Sequence, residues 1–143
     1  GNFAHAYLTM MKSVNAILYG VSFADAQMQA ADLRGADLRL ANMQTADLRG
    51  ADFKGARLNN AVLQGARLEP LVLASSRTLP TEFRDATLRY VNFSGASLRE
   101  ANFRKSDLFG ANFLGADLSG AYFTGPNLEA ARFNPSQRAI LKI

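Results

Sequence analysis

Four aspartates, Asp32, Asp37, Asp47 and Asp52, stand five or ten residues apart, and the chain has one histidine, His5. Carboxylates at short spacing can divide general-acid and general-base work, or gather as oxygen ligands around a calcium ion. A histidine can shuttle a proton. The groups those roles need beside them are missing. There is no cysteine, which excludes thiolate metal sites and disulfides. No Ser–His–Asp set, metal-ligand cluster or glycine-rich phosphate loop stands out, so no catalytic residue, metal or cofactor is expected. His5 reads as a lone turn or surface histidine. A second set of chemical groups is basic: Arg34, Arg39, Arg49, Lys54, Arg84, Arg89, Arg99 and Arg104. Sixteen Lys and Arg against twelve Asp and Glu give a net charge of +4, a mildly basic balance that bears on anionic partners.

All of these groups sit in a five-residue frame. Stepping by five from Phe3 to Phe133 meets 27 positions, and 25 of them are bulky and apolar; only Ser13 and Thr78 break the series. Two residues before each of these centres stands a series dominated by alanine. Ten of the eleven glycines lie two residues after a centre. The residue just before the centre is mostly short and polar, as at Asp37, Asn42, Asn102 and Asp117. A period of five fits neither an amphipathic helix nor a flat strand. It fits a chain that turns a corner every five residues. The bulky side chain fills the interior, the alanine clears the corner beside it, and glycine accepts a left-handed turn. The recurring acids then satisfy backbone groups at corners, which is the ordinary use of short polar side chains there. Leu38, Leu48, Phe53, Leu58, Phe93, Phe103, Leu108, Phe113, Leu118 and Phe123 are the expected core centres. Four corners close a square coil, and about six to seven coils stacked at strand spacing make a rod on the order of 30 Å long.

Units such as Ala51-Asp52-Phe53-Lys54-Gly55 and Ala116-Asp117-Leu118-Ser119-Gly120 carry an Ala-(Asp/Asn)-(Leu/Phe)-X-Gly consensus. The sequence closely resembles the pentapeptide-repeat family over residues 21–70 and 81–133, and weakly over 1–20. The resemblance implies an all-β fold, a right-handed quadrilateral parallel β-helix. It also implies two functional possibilities. In several members a C-terminal helix joins two rods end to end. The quinolone-resistance members resemble duplex DNA in width and negative charge and bind the topoisomerase gyrase.

One domain over residues 1–143 is expected, in five parts. Residues 1–20 form degenerate coils or an N-terminal cap; a helix is the competing reading there, with Phe3, Tyr7, Met10, Val14 and Leu18 at helical spacing. Residues 21–70 and 81–133 form regular coils. Between them, residues 71–80 keep the count but lose alanine, glycine and acid, and Pro70 and Pro80 bracket them. They are read as a loop projecting from one corner. Residues 134–143 form a short cap helix, with Asn134 as N-cap, Pro135 in the first turn, and Ile140, Leu141 and Ile143 on its apolar side.

The surface offers two candidate sites. Residues twenty apart share a face, so Arg34 lies under Lys54 and Arg84 under Arg104. If residues 71–80 leave the wall, Arg84 takes the next place above Lys54 and the four form one basic ladder, partly neutralised by Asp32 and Asp52. If they stay, Ala74 and Ser94 interrupt it. The other candidate is an apolar contact patch of Phe109, Leu114 and Tyr122 near the C-terminal coils. The expected function is a non-enzymatic scaffold or binding module for an unidentified protein partner, alone or as part of a larger protein, with a homodimer through the C-terminal end as a further possibility. A gyrase modulator of the DNA-mimic type is the alternative, which a surplus of base disfavours. Anion, nucleic-acid or membrane-surface binding through the ladder is a third reading, and a charge of +4 interleaved with acids gives it little support. No apolar run reaches the ~20 residues of a membrane span. The chain opens on Gly1 without a leader pattern and reads as a processed chain or a piece of a longer one. A soluble, cytoplasmic protein is slightly favoured.

Overall fold

The computed structural model describes residues 1–141. They wind into a right-handed quadrilateral β-helix. Each five-residue unit makes one wall and one corner. The wall residue just before each centre bridges in parallel to its counterpart one coil on. Four stacks of such bridges define four walls: wall 1 runs from Asn2 through Asn42 to Arg132, wall 2 from Tyr7 to Asp117, wall 3 from Lys12 to Tyr122, and wall 4 from Ile17 to Asn127. Coils 1 to 3 span residues 1–20, 21–40 and 41–60. Coil 4 is split, 61–70 and 81–90; coils 5 and 6 are 91–110 and 111–130, and wall 1 continues one unit further.

The ladder repeats at every level. In wall 3 the Phe53 amide donates to the Glu82 carbonyl at 2.7 Å, and the Asp52 amide donates back to Ala31 at 2.9 Å. The Ala56 amide closes the corner onto the Phe53 carbonyl at 2.9 Å. Almost every buried backbone group is thereby paired, as burial demands. Residues 1–20 follow this scheme as a coil and form no helix, because keeping the frame packs Leu8 and Leu18 on the core and stacks the exposed end ring of Phe3 on Phe23 at 5.6 Å.

The centres line a continuous core. Leu38, Leu48, Phe53, Leu58, Phe93, Phe103, Leu108 and Phe113 are fully buried, and Leu118 nearly so. Phe123 is only half-buried, because the last coil has less chain above it. From Phe83 onward the centres alternate Phe and Leu, so phenylalanines fall on opposite walls 1 and 3 and leucines on walls 2 and 4. Phe53, Phe83, Phe103 and Phe123 stack along wall 3 with centroids 4.8, 5.0 and 5.0 Å apart. Phe93, Phe113 and Phe133 stack along wall 1, and the two columns meet edge to face at 5.6 to 6.0 Å. Both arrangements suit the aromatic quadrupole.

Residues 71–80 leave the wall. Pro70 occupies the corner place that elsewhere requires a positive φ, which the proline ring forbids. The chain therefore runs outward as a hairpin, β1 (Leu71–Val72) antiparallel to β2 (Thr78–Leu79), around a 3-10 turn at Ala74–Ser76. Leu73, in frame by count, is instead exposed. The hairpin rests on Gly50, where an added β-carbon would meet Leu71 at 2.9 Å and Leu79 at 3.1 Å. Thr81 re-enters fully buried, and its hydroxyl accepts the Gly50 amide at 3.0 Å. The equivalent amide one corner on, that of Gly55, uses the next coil's carbonyl at Arg84.

Helix α1 (Pro135–Leu141) lies over the C-terminal end. The Asn134 amide donates to Gln137 Oε1 at 2.8 Å, the returning half of a capping box. Gln137 Nε2 donates to the carbonyls of Phe113 and Ala116 at 2.6 and 2.8 Å, satisfying the last coil. The expected apolar side is thus rotated. Gln137 and Leu141, four apart, face the core, while Ile140 is 64% exposed. Lys142 and Ile143 lie outside the described residues.

Candidate interaction surfaces

The four aspartates are occupied by the chain itself. In Asp32, Asp37 and Asp47 one carboxylate oxygen faces the amide two residues on, and the arginine at that position forks onto both oxygens. In this register one Asp-X-Arg unit ties backbone turn and side-chain pair together. Asp52 accepts only the Lys54 amide, at 3.0 Å, with Arg34 Nε 3.9 Å away. His5 is exposed at a coil 1 corner, 3.6 Å from Asp25. None of the four acids points free into a cleft.

The fork shifts the acids. The Arg39 guanidinium, at 2.8 and 2.7 Å, holds the Asp37 carboxyl down at about 2, below its ordinary 3.8. Arg34 lowers Asp32 in the same way. Burial pushes Asp47 up, but the Arg49 fork and amide bring it below the ordinary value. A carboxyl depressed in the folded state contributes stability that is complete above the unfolded value and is lost as pH falls through the folded one. Thermal stability is therefore expected to hold down to about pH 4 and then to fall toward pH 2. In Arg39→Gln the Asp37 carboxyl, followed by carbon-13 NMR, is expected to titrate back near 3.8. The effect shrinks with added salt, because these pairs are on the surface.

The hairpin decides where the basic residues meet. Because residues 71–80 are outside the wall, Asp52 bridges directly to Glu82. Arg34, Lys54, Arg84 and Arg104 consequently stand on four successive coils of wall 3. Arg34 is forked onto Asp32 at 2.6 and 2.7 Å. Among the described residues, Lys54, Arg84 and Arg104 have no carboxylate within ion-pair distance, and Arg104 lies over the Tyr122 ring at 4.6 Å. Beside this column, two residues back along the same wall, runs an acidic one: Asp32, Asp52 and Glu82.

The proposed apolar patch is not one patch. Phe109 stands on wall 4, Leu114 on wall 1 and Tyr122 on wall 3, because every five residues turn a corner and closeness in sequence scatters side chains around the rod. What the structure gathers is a different set on wall 4 and its corner. Arg39 lies over Tyr19 at 5.3 Å, Arg89 over Phe109 at 4.5 Å, and Tyr90 meets Phe109 edge-on at 5.6 Å. Leu40 and Tyr90, two coils apart at that corner, are 50% and 55% exposed. Both have positive φ, 61° and 59°. A bulky residue in that conformation is uncommon and costs free energy. The Tyr90 ring fits because Gly110 beneath it has no β-carbon; one would meet the ring at 2.6 Å. Stepping by twenty, with ten added across the hairpin, would have aligned this column in the sequence. Wall 1 contrasts with both. Along its outward positions Asn42, Gln44, Gln64, Asn92, Ser94 and Asn112 carry no charge.

The pentapeptide-repeats family model matches the chain in eight copies, over residues 2–44, 36–69, 81–125 and 101–134. The segment it passes over, 70–80, is the hairpin with Pro70. No curated protein matches the chain. Among solved structures it is similar to a trypsin-treated variant of QnrB1, a plasmid-mediated fluoroquinolone resistance protein, with 17% identity, a TM-score of 0.56, and coverage of 99% of this chain and 91% of that one. It also matches the pentapeptide repeat protein Rfr23 from the cyanobacterium Cyanothece 51142, with 22% identity over 76% of this chain and 64% of that one, at a TM-score of 0.47. At these identities the likeness is one of fold.

Proposed function

This chain belongs to the pentapeptide-repeat family, and from that membership we propose that it is a non-enzymatic binding module, a rigid solenoid that presents its surface to a protein partner. The observation that carries this reading is the corner of Leu40 and Tyr90. Two large apolar side chains are held in solvent on a backbone conformation that suits glycine, next to arginines stacked on aromatic rings. Tyr and Arg are the residues that dominate binding hot spots. The corner conformation belongs to the fold and recurs in every coil, but large apolar side chains placed there in solvent add nothing to the core, and contact with a partner is the use that accounts for them. Asp32, Asp37 and Asp47 support the non-enzymatic part, since their oxygens are taken up by amides and guanidinium groups of their own walls.

The gyrase reading rests on fold likeness and lacks the acidity that imitation of DNA requires. Binding of a polyanion along wall 3 meets the acidic column beside the basic one. Both are weaker than the corner reading.

Replacing Leu40 and Tyr90 together by glycine tests the proposal. Folding stability is expected to stay within about 1 kcal/mol of the parent, because relief of the strained φ offsets the entropy glycine adds to the unfolded chain. A photo-crosslinking residue placed at Asn60, between them, is expected to capture one defined protein in cells of the source organism, and to lose it in the double variant. The same crosslinker at Gln64 on wall 1 is the control. Equal, diffuse crosslinking from both positions would sink the reading.

A further inference from the structure

We infer that wall 3 is a self-complementary surface through which two copies of this chain associate side by side, with their rod axes parallel. The wall carries two columns of opposite sign. The position before each centre gives Asp32, Asp52 and Glu82; the position after it gives Arg34, Lys54 and Arg84, at the same three levels. The columns are separated by two residues of extended chain, about 6–7 Å. A two-fold axis running along the rod between two such walls preserves height and exchanges the columns. Asp32 of one copy then faces Arg34 of the other, Asp52 faces Lys54, and Glu82 faces Arg84, each pair occurring twice. One level higher Asn102 faces Arg104.

Other occupants match less well. An antiparallel pair of walls sets each column against itself, like charge against like. A polyanion satisfies the basic column and is repelled by the acidic one at the same three levels. Only a surface with the alternation reversed answers both columns, and the chain carries that surface itself. Asp52 and Glu82 keep free lone pairs for this use: Asp52 accepts one amide, and Glu82 accepts the Arg84 amide and one Asn102 amide hydrogen. Both Asp32 oxygens already take the Arg34 fork, so that level adds least. The alignment depends on the hairpin, since without its departure Arg84 would not follow Lys54. It does not depend on the corner of Leu40 and Tyr90, so either proposal can fail alone.

The wall is narrow and about 30 Å tall, so the contact falls below the roughly 1,200 Å² of a standard stable interface. Charge pairs at such a surface give register more than affinity. A weak dimer follows, strengthened by concentration and weakened by salt.

Analytical ultracentrifugation of the full chain, from about 10 μM to about 1 mM at low salt, is expected to show a monomer–dimer equilibrium that recedes to monomer at about 0.5 M salt. Lys54→Glu with Arg84→Glu is expected to be monomeric, and so is Asp52→Lys with Glu82→Lys. An equimolar mixture of the two variants is expected to recover the dimer, with circular dichroism verifying that each is folded. A wild-type monomer at about 1 mM in low salt overturns the proposal. So does a dimer that persists in both variants, the outcome for association through the end of the rod near Ile140, or a mixture that stays monomeric.

Discussion

Phe83→Ala is expected to remove about 3–5 kcal/mol of folding stability, a large part of the roughly 5–15 kcal/mol that a domain of this size possesses. Phe83 is fully buried in the split coil 4. Its ring stacks on Phe53 at 4.8 Å and Phe103 at 5.0 Å, and meets Phe93 edge-on at 5.6 Å. Removal leaves a cavity that the walls cannot close, because every coil above and below is pinned by its backbone ladder at a fixed spacing. In a solenoid each coil also touches only its neighbours, so weakening one level uncouples the coils on either side. Urea unfolding followed by circular dichroism is expected to show a lowered midpoint and a transition split between the halves. Phe123→Ala, at a half-buried centre in coil 6, is expected to cost less than about 2 kcal/mol. Similar losses at the two sites would mean that the rings do not form the packed column described above.

The architecture was legible because it is written redundantly. A five-residue period with a bulky apolar residue at 25 of 27 steps leaves one geometry that buries nearly all of them, and the Phe and Leu alternation after Phe83 even assigns each wall its filling. The surface was less legible, for a physical reason. Which side chains meet depends on register modulo one coil, and that register depends on whether the ten residues from Leu71 to Pro80 count. Pro70 holds the answer: a proline where the corner needs a positive φ forces the chain out. With that settled, Arg34, Lys54, Arg84 and Arg104 fall on one column. Phe109, Leu114 and Tyr122 fall on three different walls whatever happens at the hairpin, since their units stand five and ten residues apart and only units twenty apart share a wall. The rotation of α1, with Gln137 inward and Ile140 outward, was hidden for another reason. A polar residue was needed inside to meet the open carbonyls of Phe113 and Ala116, and hydropathy alone assigns that side to the isoleucine.

The dependence on count predicts sharply different outcomes for deletions of different length. Removing residues 71–80 together with Pro70→Gly is expected to leave a folded solenoid. Glycine can take the corner conformation, Thr81 then enters its place directly, and Asp52 keeps its bridge to Glu82. The loss is confined to the packing of Leu71 and Leu79 on Gly50, and the thermal midpoint is expected to move by only a few degrees, the scale of about 1 kcal/mol in a domain of this size. Deleting Gly95 alone is expected to be far worse. Every later unit then arrives one residue early, so Arg99, Arg104 and Ser119 take the interior places of Leu98, Phe103 and Leu118, while Phe109 and Leu114 enter where Leu108 and Phe113 stood. At about 1.5–3 kcal/mol for each large side chain, three lost centres, two of them replaced by arginines that would have to be buried without a partner, approach or exceed the stability of the whole domain. Coils 5 and 6 cannot form, and limited proteolysis is expected to remove them while the ten-residue deletion resists the same treatment. Equal resistance would show that the frame does not set the fold. Between these extremes, deleting residues 71–85 with Pro70→Gly removes three whole units. Leu88 then takes the place of Phe83, so the interior stays filled, but every later unit shifts by one wall. Thr87 and Arg89 then stand in the places of Glu82 and Arg84, and Arg104 moves onto wall 2. The rod is expected to fold while the side-by-side dimer weakens, since Thr87 supplies no carboxylate where Glu82 stood, which separates what the five-residue period does from what the twenty-residue period does.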